Sequence, residues 1–207
     1  MTKVISMSVW GSDPRYLVGA VKNAKLAKEI FPDWEFRVYY DAGSPKDIMN
    51  QLIDLGANVI VMDANHRGYG MFWRFLAGWE DHEAVIFRDS DSRLSIKEKK
   101  CIDEWLESDK KYSVIRDHPR HFDFPIMGGM WGIKGNIDAS KDEMVEWAKI
   151  VQYTIDQVWL AKCVWKFAEK NSFFHEFGIG SFCRNESDLN FIGQGYDEND
   201  NPLYPSK

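Results

Sequence analysis

Residues 84–93 read Ala-Val-Ile-Phe-Arg-Asp-Ser-Asp-Ser-Arg, four apolar residues that run directly into alternating acidic and hydroxyl side chains. A short apolar run of this kind is typical of a buried strand in a parallel sheet. Ligands of such sheets bind beyond the carboxyl ends of the strands. We therefore expect Asp89 and Asp91 to emerge together at the edge of a sheet where a ligand binds.

The sequence on both sides of this stretch alternates between strand and helix patterns. Short apolar runs predict strands over 4–9, 35–40, 58–62, 84–87 and 112–115. Helical spacing and helix-start residues predict helices over 14–31, 44–55, 71–79, 96–107, 141–150 and 155–169. Strands that alternate with helices of this size form a mainly parallel sheet with helices on both faces. The predicted fold is one α/β domain over residues 1–207.

Composition excludes several classes of protein. The formal net charge of −6 argues against a chain that grips nucleic acid through its phosphates, which needs a basic face. No apolar run approaches the roughly 20 residues that span a bilayer, and the first ten residues do not form a secretory signal. Three widely spaced cysteines predict neither a disulfide framework nor a cysteine zinc site. We expect a protein of the cytoplasm, or of the host cytoplasm if the chain is viral.

Asp89 and Asp91 form the strongest chemical motif. Two carboxylates held close together repel each other, and a divalent cation relieves that repulsion. Their hard oxygen ligands suit Mg²⁺ or Mn²⁺, which in turn binds phosphate oxygens. Arg74, Arg88 and Arg93 add guanidinium groups for diphosphate or for surface ion pairs. The alternative is a polar turn in which Asp91 or Ser92 caps the next helix.

The order of segments along the chain resembles a known family. An aromatic segment at 68–75 precedes Asp89, polar and glycine-rich segments at 116–119 and 128–132 follow, and Asp156-Gln157 comes later. This order resembles the GT-A glycosyltransferases, in particular small bacterial and large-DNA-virus members, including those of chlorella viruses. The resemblance covers nearly the whole chain. It implies a GT-A-like fold and metal-dependent transfer of a hexose or deoxyhexose from a nucleotide-sugar, preferably a UDP-sugar, to a glycan acceptor.

The resemblance also assigns residues to the metal and the nucleotide. Asp89 and Asp91 match the aspartates that hold Mn²⁺ or Mg²⁺, and His175 matches a histidine that joins the metal in several members. Without the resemblance, a histidine in this aromatic stretch is more often a structural residue. Positions that match the nucleotide-binding part of the family are Ser8, Val9, Trp10, Arg15, Tyr16, Met62, Arg74, Ser90 and Gly129.

Three residues are assigned to the sugar. Asp156 and Gln157 resemble the pair that retaining members place beside the donor sugar, where they bind hydroxyls and stabilise positive charge. The alternative is that Asp156 caps the helix that begins there. Asp117, after the fifth predicted strand, is expected to bind sugar hydroxyls or to act as a base. The resemblance therefore favours a retaining mechanism.

Two other functions stay open on the sequence. A sugar nucleotidyltransferase shares the sheet and the metal carboxylates but needs a glycine-rich basic loop after the first strand, which residues 11–15 match poorly. A non-catalytic carbohydrate-binding module would use the nine tryptophans as a stacking surface. The segment after Trp131 is short for a GT-A enzyme, so we expect the natural chain to continue past Lys207 into further domains.

Overall fold

A seven-stranded sheet crosses the computed structural model, which describes residues 1–63, 70–176 and 191–203. Its spatial order is β3-β2-β1-β4-β6-β5-β7. The strands are β1 (Lys3–Val9), β2 (Trp34–Asp41), β3 (Asn58–Met62), β4 (Ala84–Phe87), β5 (Tyr112–Arg116), β6 (Trp131–Lys134) and β7 (Ser172–Glu176). Only β6 runs antiparallel to its neighbours within this part of the chain. The predicted α/β class with a mainly parallel sheet is confirmed.

Helices cover both faces of the sheet, as predicted. They are α1 (Pro14–Ile30), α2 (Lys46–Asp54), α3 (Gly70–Trp73) with a 3₁₀ turn (Arg74–Trp79), α4 (Ile96–Glu107), α5 (Lys141–Ala148), α6 (Ile155–Trp159) and α7 (Trp165–Ala168). A π-helical turn, Leu160–Val164, joins α6 to α7, so the helix predicted over 155–169 is continuous but not uniform. None of these helices, in the ranges that the structure describes, has the length and hydrophobicity needed to cross a membrane.

Two hydrophobic clusters of buried residues hold the layers together in the described ranges. Successive strand side chains point to opposite faces, so Val4 belongs to one cluster and Ile5 to the other. α1, α2 and α4 pack on the Ile5 face, and α3, α5 and α6 pack on the Val4 face. The sheet is therefore buried on both sides, which explains why β4 is a continuous apolar run.

The antiparallel strand β6 was not predicted, and it brings a new segment to the candidate site. Because β6 runs opposite to β4 and β5, residues 128–130 before it lie at the edge where β4 and β5 end. β7, the other strand that was not predicted, pairs with β5 at the outer end of the sheet. The predicted ligand crevice lies at the edge formed by the carboxyl ends of β1 and β4 and the start of β6.

Candidate active site

A cavity of about 520 Å³ opens at the carboxyl ends of β1 and β4. This volume lies within the range typical of small-molecule binding sites. Among the segments that line it, two follow β1 and β4, one joins β5 to β6, and one precedes α6. The lining residues are Trp10, Tyr16, Met71, Arg74, Asp89, Asp91, His121, Met127, Gly128, Met130, Val151, Gln152, Tyr153, Thr154, Asp156, Gln157 and Gly193.

An aromatic pair forms the wall beside β1. The rings of Trp10 and Tyr16 stack with centroids 6.4 Å apart and planes 13° apart, and the Arg15 guanidinium lies 4.3 Å from the Tyr16 ring centroid. Gly70 packs so closely on the indole that a Cβ there would lie 2.5 Å from Trp10 Cδ2. Trp10 is nevertheless 38% exposed. The pair therefore offers a partly exposed flat surface of the kind on which a nucleobase stacks.

The turn that carries Asp89 and Asp91 is held by its backbone, which leaves both side chains facing the cavity. Ser92 Oγ donates to Asp89 O at 2.8 Å, and the amide of Tyr196 donates to Asp91 O at 2.9 Å. Ser95 caps α4 by accepting the amide of Glu98 at 3.1 Å. The alternative in which Asp91 or Ser92 caps the next helix is therefore wrong.

Asp91 is destabilised as an anion in the metal-free protein. Burial, and then the nearby charge of Asp89, raise the pKa of Asp91 from 3.8 to about 6, against the opposing effect of Arg15. The closest guanidinium nitrogen, Arg15 Nε, is 3.9 Å from Asp91 Oδ2. Two carboxylates that raise each other's energy suit a divalent cation, and Mg²⁺ commonly takes only one or two protein carboxylates together with substrate phosphates. The residues present therefore fit the predicted metal.

A larger protein-only metal site is not found. In the described ranges, Asp89 and Asp91 are not joined by a third His, Cys, Asp or Glu in an arrangement that could hold an ion. A cation there would take its remaining ligands from water and from the substrate.

Arg74 connects the predicted metal residues to the predicted sugar residues. Its Nη1 pairs with Asp89 Oδ1, and its Nη2 lies 2.8 Å from Asp156 Oδ2. Ser8 Oγ accepts the Arg74 amide at 2.7 Å, and Ser6 Oγ donates to the Arg74 carbonyl at 2.6 Å. Two hydroxyls of β1 therefore fix the backbone of Arg74, whose buried guanidinium lies between two carboxylates.

Gly128 and Gly129 make room for this ion-paired cluster. A Cβ on Gly129 would lie 2.1 Å from Asp89 Oδ2, and a Cβ on Gly128 would lie 2.5 Å from Arg74 Nη2 and 2.6 Å from Asp156 Oδ2. These glycines lie in the glycine-rich segment at 128–132 that contributes to the family resemblance. The structure shows that they allow the backbone to approach Arg74 and the two carboxylates.

Asp156 and Gln157 lie at the first turn of α6. Thr154 is the N-cap residue of this helix, so the alternative that Asp156 caps it is wrong. Burial, more than any other factor, raises the pKa of Asp156, although Arg74 opposes the rise. Gln157 Oε1 is buried and has no hydrogen-bond partner in the part of the chain that the structure describes. Thr154 has a φ of 64°, which is strained for a β-branched residue and common at functional sites.

Two of the residues predicted to be catalytic or to bind the metal do not face the cavity. Asp117 is 0% exposed; its Oδ2 binds Lys97 Nζ at 2.8 Å and the amide of Ile192 at 2.9 Å. It is closed off from a sugar, because its side chain is fully buried and engaged by these two groups. His175 lies on β7, where its Nε2 is 2.9 Å from Glu104 Oε2. The interpretation of Asp117 as a base and of His175 as a metal ligand is therefore corrected by their positions.

Several residues assigned to the nucleotide have other roles in this structure. Val9 is fully buried in the core, and Met62 packs against the Val4-face cluster. Ser8 holds Arg74, and Ser90 is buried with its carbonyl bound by Asn23. These four are absent from the cavity lining, whereas Trp10, Tyr16, Arg74, Asp89, Asp91, Asp156 and Gln157 are brought together there.

His121 is the functional candidate that sequence reasoning missed. It lies in a short 3₁₀ helix after β5 (Pro119–Phe122), lines the cavity and is only 6% exposed. Its Nδ1 has no hydrogen-bond partner among the described residues. Burial and the neighbouring His118 lower the pKa of His121 to about 4, so its imidazole is neutral at pH 7. Its place after a strand was the one available sequence signal.

The C-terminal described segment, 191–203, closes the same side of the cavity. Phe191 stacks on His118 with ring centroids 4.2 Å apart, and Gly193 lines the cavity. A Cβ on Gly195 would lie 3.6 Å from Asp91 Oδ2. This segment therefore contributes directly to the surroundings of Asp91, although its residues follow no regular helix or strand pattern.

Comparisons with known proteins give similarity of fold. No family model and no curated protein matches the chain. A glycosyltransferase involved in the glycosylation of the major capsid of PBCV-1 is 15% identical, with 85% of this chain and 82% of that chain covered and a TM-score of 0.49. The 4-diphosphocytidyl-2C-methyl-D-erythritol synthase of Anaerococcus prevotii is 11% identical, with 85% and 86% covered and a TM-score of 0.48.

A third similar structure contains a metal and a nucleotide. It is glucosyl-3-phosphoglycerate synthase from Mycobacterium tuberculosis with Mn²⁺, uridine diphosphate and phosphoglyceric acid, 17% identical, with a TM-score of 0.43. The match covers 64% of this chain and 55% of that one, so this chain spans about half the length of that enzyme. Because all these scores are below 0.5, the function is argued from the site alone.

Proposed function

We propose that this chain is a metal-dependent glycosyltransferase that moves a hexose or deoxyhexose from a UDP-sugar to a glycan acceptor. The observation that carries the proposal is the arrangement of one cavity. It combines an exposed aromatic pair, two mutually repelling carboxylates, and a buried arginine paired with a third carboxylate. A nucleotide-sugar presents matching groups: a flat base, a diphosphate and a sugar with hydroxyls.

The strand order gives the groups of the donor an order along the cavity. Trp10 follows β1, Asp89 follows β4, and Gly128 precedes β6, and these strands are neighbours in the sheet. In the proposed complex the base stacks at Trp10 and Tyr16, the diphosphate lies at Asp89 and Asp91, and the sugar lies toward β6 and α6. The acceptor then approaches from the side of His121.

Asp89 and Asp91 would hold Mg²⁺ or Mn²⁺ through carboxylate oxygens. When bound, such an ion neutralises charge that develops on a departing diphosphate. Arg74 supplies a fixed positive charge at the same place, and its burial makes that charge more effective than it would be in water. The ionised state of Asp91 is needed for this role, so we expect metal binding to weaken as the pH falls below about 6.

Asp156 and Gln157 would bind hydroxyls of the donor sugar. The unpartnered Oε1 of Gln157 is a free hydrogen-bond acceptor at the cavity wall. Asp156 is held by Arg74 and places a carboxylate near the developing positive charge of the sugar ring. We propose retention of configuration, in keeping with the resemblance of this pair to that of retaining enzymes. Proton NMR of the first product formed reports the anomer.

Calorimetric titration with nucleotides tests the proposal. UDP, GDP, ADP and CDP are titrated into the protein with Mn²⁺ or with a chelator. Metal-dependent binding with a preference for UDP, followed by consumption of a UDP-hexose, supports the proposal. Release of pyrophosphate from a nucleoside triphosphate and a sugar phosphate would identify a nucleotidyltransferase instead. Binding of glycans that ignores both metal and nucleotide would indicate a carbohydrate-binding module.

A further inference from the structure

Asn23 of α1 is a fully buried polar residue that points at the turn carrying Asp89 and Asp91. It is 0% exposed. Its Nδ2 donates to the carbonyls of Ser90 at 3.2 Å and Ser92 at 2.8 Å, and its Oδ1 accepts the amide of Leu94 at 2.9 Å. Both hydrogens and the oxygen of the side-chain amide are therefore used by one segment of five residues.

Asn23 stands in an apolar face of its helix. Ala20, Ala24 and Ala27 on the same face are buried in the hydrophobic cluster. A polar side chain in that position costs free energy unless its hydrogen bonds are made. A buried asparagine with all of its hydrogen bonds directed at the 90–94 segment has a positional role that the packing of α1 does not require.

Gly19, one helical turn before Asn23, lets the helix approach the same segment. A Cβ on Gly19 would lie 2.2 Å from the carbonyl oxygen of Ser90 and 3.1 Å from Arg93 Nη1. Any larger residue would push the Ser90 carbonyl away from α1. Gly19 and Asn23 therefore form two consecutive contacts between α1 and the segment.

The carbonyl between those held by Asn23 is bound by other groups. Asp91 O accepts the amide of Tyr196 at 2.9 Å and Arg93 Nη1 at 3.2 Å. The carbonyls of residues 90, 91 and 92 are thus all engaged. Because these carbonyls hold the backbone, the directions of the Asp89 and Asp91 side chains are set before any ligand binds.

We propose that Asn23 is a positioning residue for the metal and diphosphate site: it fixes the backbone between Asp89 and Asp91 so that both carboxylates face one ion. This inference rests on the proposed function. Asn23 contacts neither the cavity nor the substrate, and acts through the segment it holds. Residues that orient metal ligands in this way typically alter metal affinity by about 10- to 100-fold when replaced.

The test uses two substitutions of Asn23, one of Gly19 and one control. Asn23→Ala removes all three hydrogen bonds. Asn23→Asp keeps the shape but replaces the donor by an oxygen that repels the two carbonyls. Gly19→Ala displaces Ser90 by contact. The control, Val21→Ala, removes buried volume from the same helix but no hydrogen bond to residues 90–94, so we expect it to lower stability alone.

Two readouts are measured on each folded variant. Calorimetry gives the apparent affinity for UDP at one fixed, sub-saturating Mn²⁺ concentration, so that a loss of metal affinity is measured. We expect it to fall about 10- to 100-fold for Asn23→Ala and Asn23→Asp, to fall for Gly19→Ala, and to remain at the wild-type value for Val21→Ala. Amide hydrogen exchange of Leu94, without metal or nucleotide, is expected to speed up about tenfold or more in Asn23→Ala, which removes the acceptor of that amide, relative to Val21→Ala.

The outcomes separate this inference from the proposed function. Wild-type UDP affinity in a folded Asn23→Ala or Asn23→Asp protein overturns the inference, as does an equal loss in Val21→Ala. If the wild-type protein does not bind UDP with Mn²⁺, the proposed function fails, and the positioning role toward the ion fails with it. Unchanged Leu94 exchange would show that Asn23 does not hold the segment at all.

Discussion

At the scale of single residues, Asp91 is the side chain whose effect on the stability of the fold conflicts with its proposed function. Its folded-state pKa of about 6 exceeds the ordinary 3.8, so the folded protein binds a proton more readily than the unfolded chain. Stability from this group is therefore present at low pH and is lost as the pH rises from about 4 to about 6. Above that range the ionised carboxylate costs at most about 3 kcal/mol.

Asp91→Asn is expected to stabilise the metal-free protein while abolishing its ligand affinity. We expect the free energy of unfolding at pH 7 to rise by about 1–3 kcal/mol, because the buried charge and its repulsion by Asp89 are removed. UDP binding in Mn²⁺ is expected to be lost. Urea denaturation and calorimetry measure the two quantities.

The matched variant is Asp89→Asn. Because Asp89 is an ion-pair partner of Arg74, its substitution is expected to lower stability while it also removes UDP binding. A less stable Asp91→Asn protein, or one that retains Mn²⁺-dependent UDP affinity, would contradict the account of Asp91.

Arg74→Met is expected to lower the free energy of unfolding by about 3–5 kcal/mol, because it strands the buried carboxylate of Asp156 without a cation. Adding Asp156→Asn to this variant is expected to restore part of the loss. The exposed pair of Lys149 and Glu146 gives the control, since Lys149→Met should cost less than about 1 kcal/mol. Stability is measured by urea denaturation. Equal losses for Arg74→Met and Lys149→Met would rule out the buried ion pairs as a source of stability.

At the scale of elements, the segment before β6 is as important to the site as the aspartates. Gly129→Ala is expected to displace Asp89, because its Cβ would lie 2.1 Å from Asp89 Oδ2. We expect UDP affinity in Mn²⁺ to fall at least about tenfold. Gly43→Ala is the control, since its closest neighbour would lie at an ordinary 3.5 Å and outside the cavity. Equal affinities of the two variants, measured by calorimetry, would refute the role of Gly129.

The elements show which parts of the fold a sequence can predict. β1 to β5 and the helices between them each follow a pattern of residues that are close together in the chain. These elements could therefore be predicted from the sequence. β6 has four residues with a glycine among them, and both of its faces are buried, so it shows no alternation. β7 mixes Phe173 and Phe174 with polar residues. Their strand form depends on pairing with β4 and β5, which no local pattern contains.

The same limit applies to the site. Asp89 and Asp91 are neighbours in sequence, so their common location could be predicted from one strand end. The contact of Arg74 with Asp156 joins residues 82 positions apart, and the residue-specific role of Arg74 came from the family resemblance alone. His175 was misplaced because pairing with β5 carries it to the outer end of the sheet.

At the scale of the whole molecule, the fold does not depend on the metal. The two hydrophobic clusters lie on the two faces of the sheet, while Asp89 and Asp91 lie at its edge. We expect a chelator to leave circular dichroism and the melting temperature of the nucleotide-free protein unchanged.

Mn²⁺ and UDP together, each well above their dissociation constants, should act differently. At about 100 times the dissociation constant, a ligand stabilises the folded state by about 2.7 kcal/mol, which corresponds to roughly 5–10 °C for a chain of this size. A melting temperature that collapses with the chelator alone would mean that the metal is structural.

The most direct test of the central claim is a crystal grown with Mn²⁺ and UDP, with anomalous diffraction measured at the manganese edge. The account predicts one anomalous peak in the cavity, ligated by carboxylate oxygens of both Asp89 and Asp91 and by oxygens of the diphosphate, with the uracil at Trp10 and Tyr16. A structure with UDP bound elsewhere, or with both aspartates engaged only by Arg15 and Arg74 at saturating Mn²⁺, would contradict it.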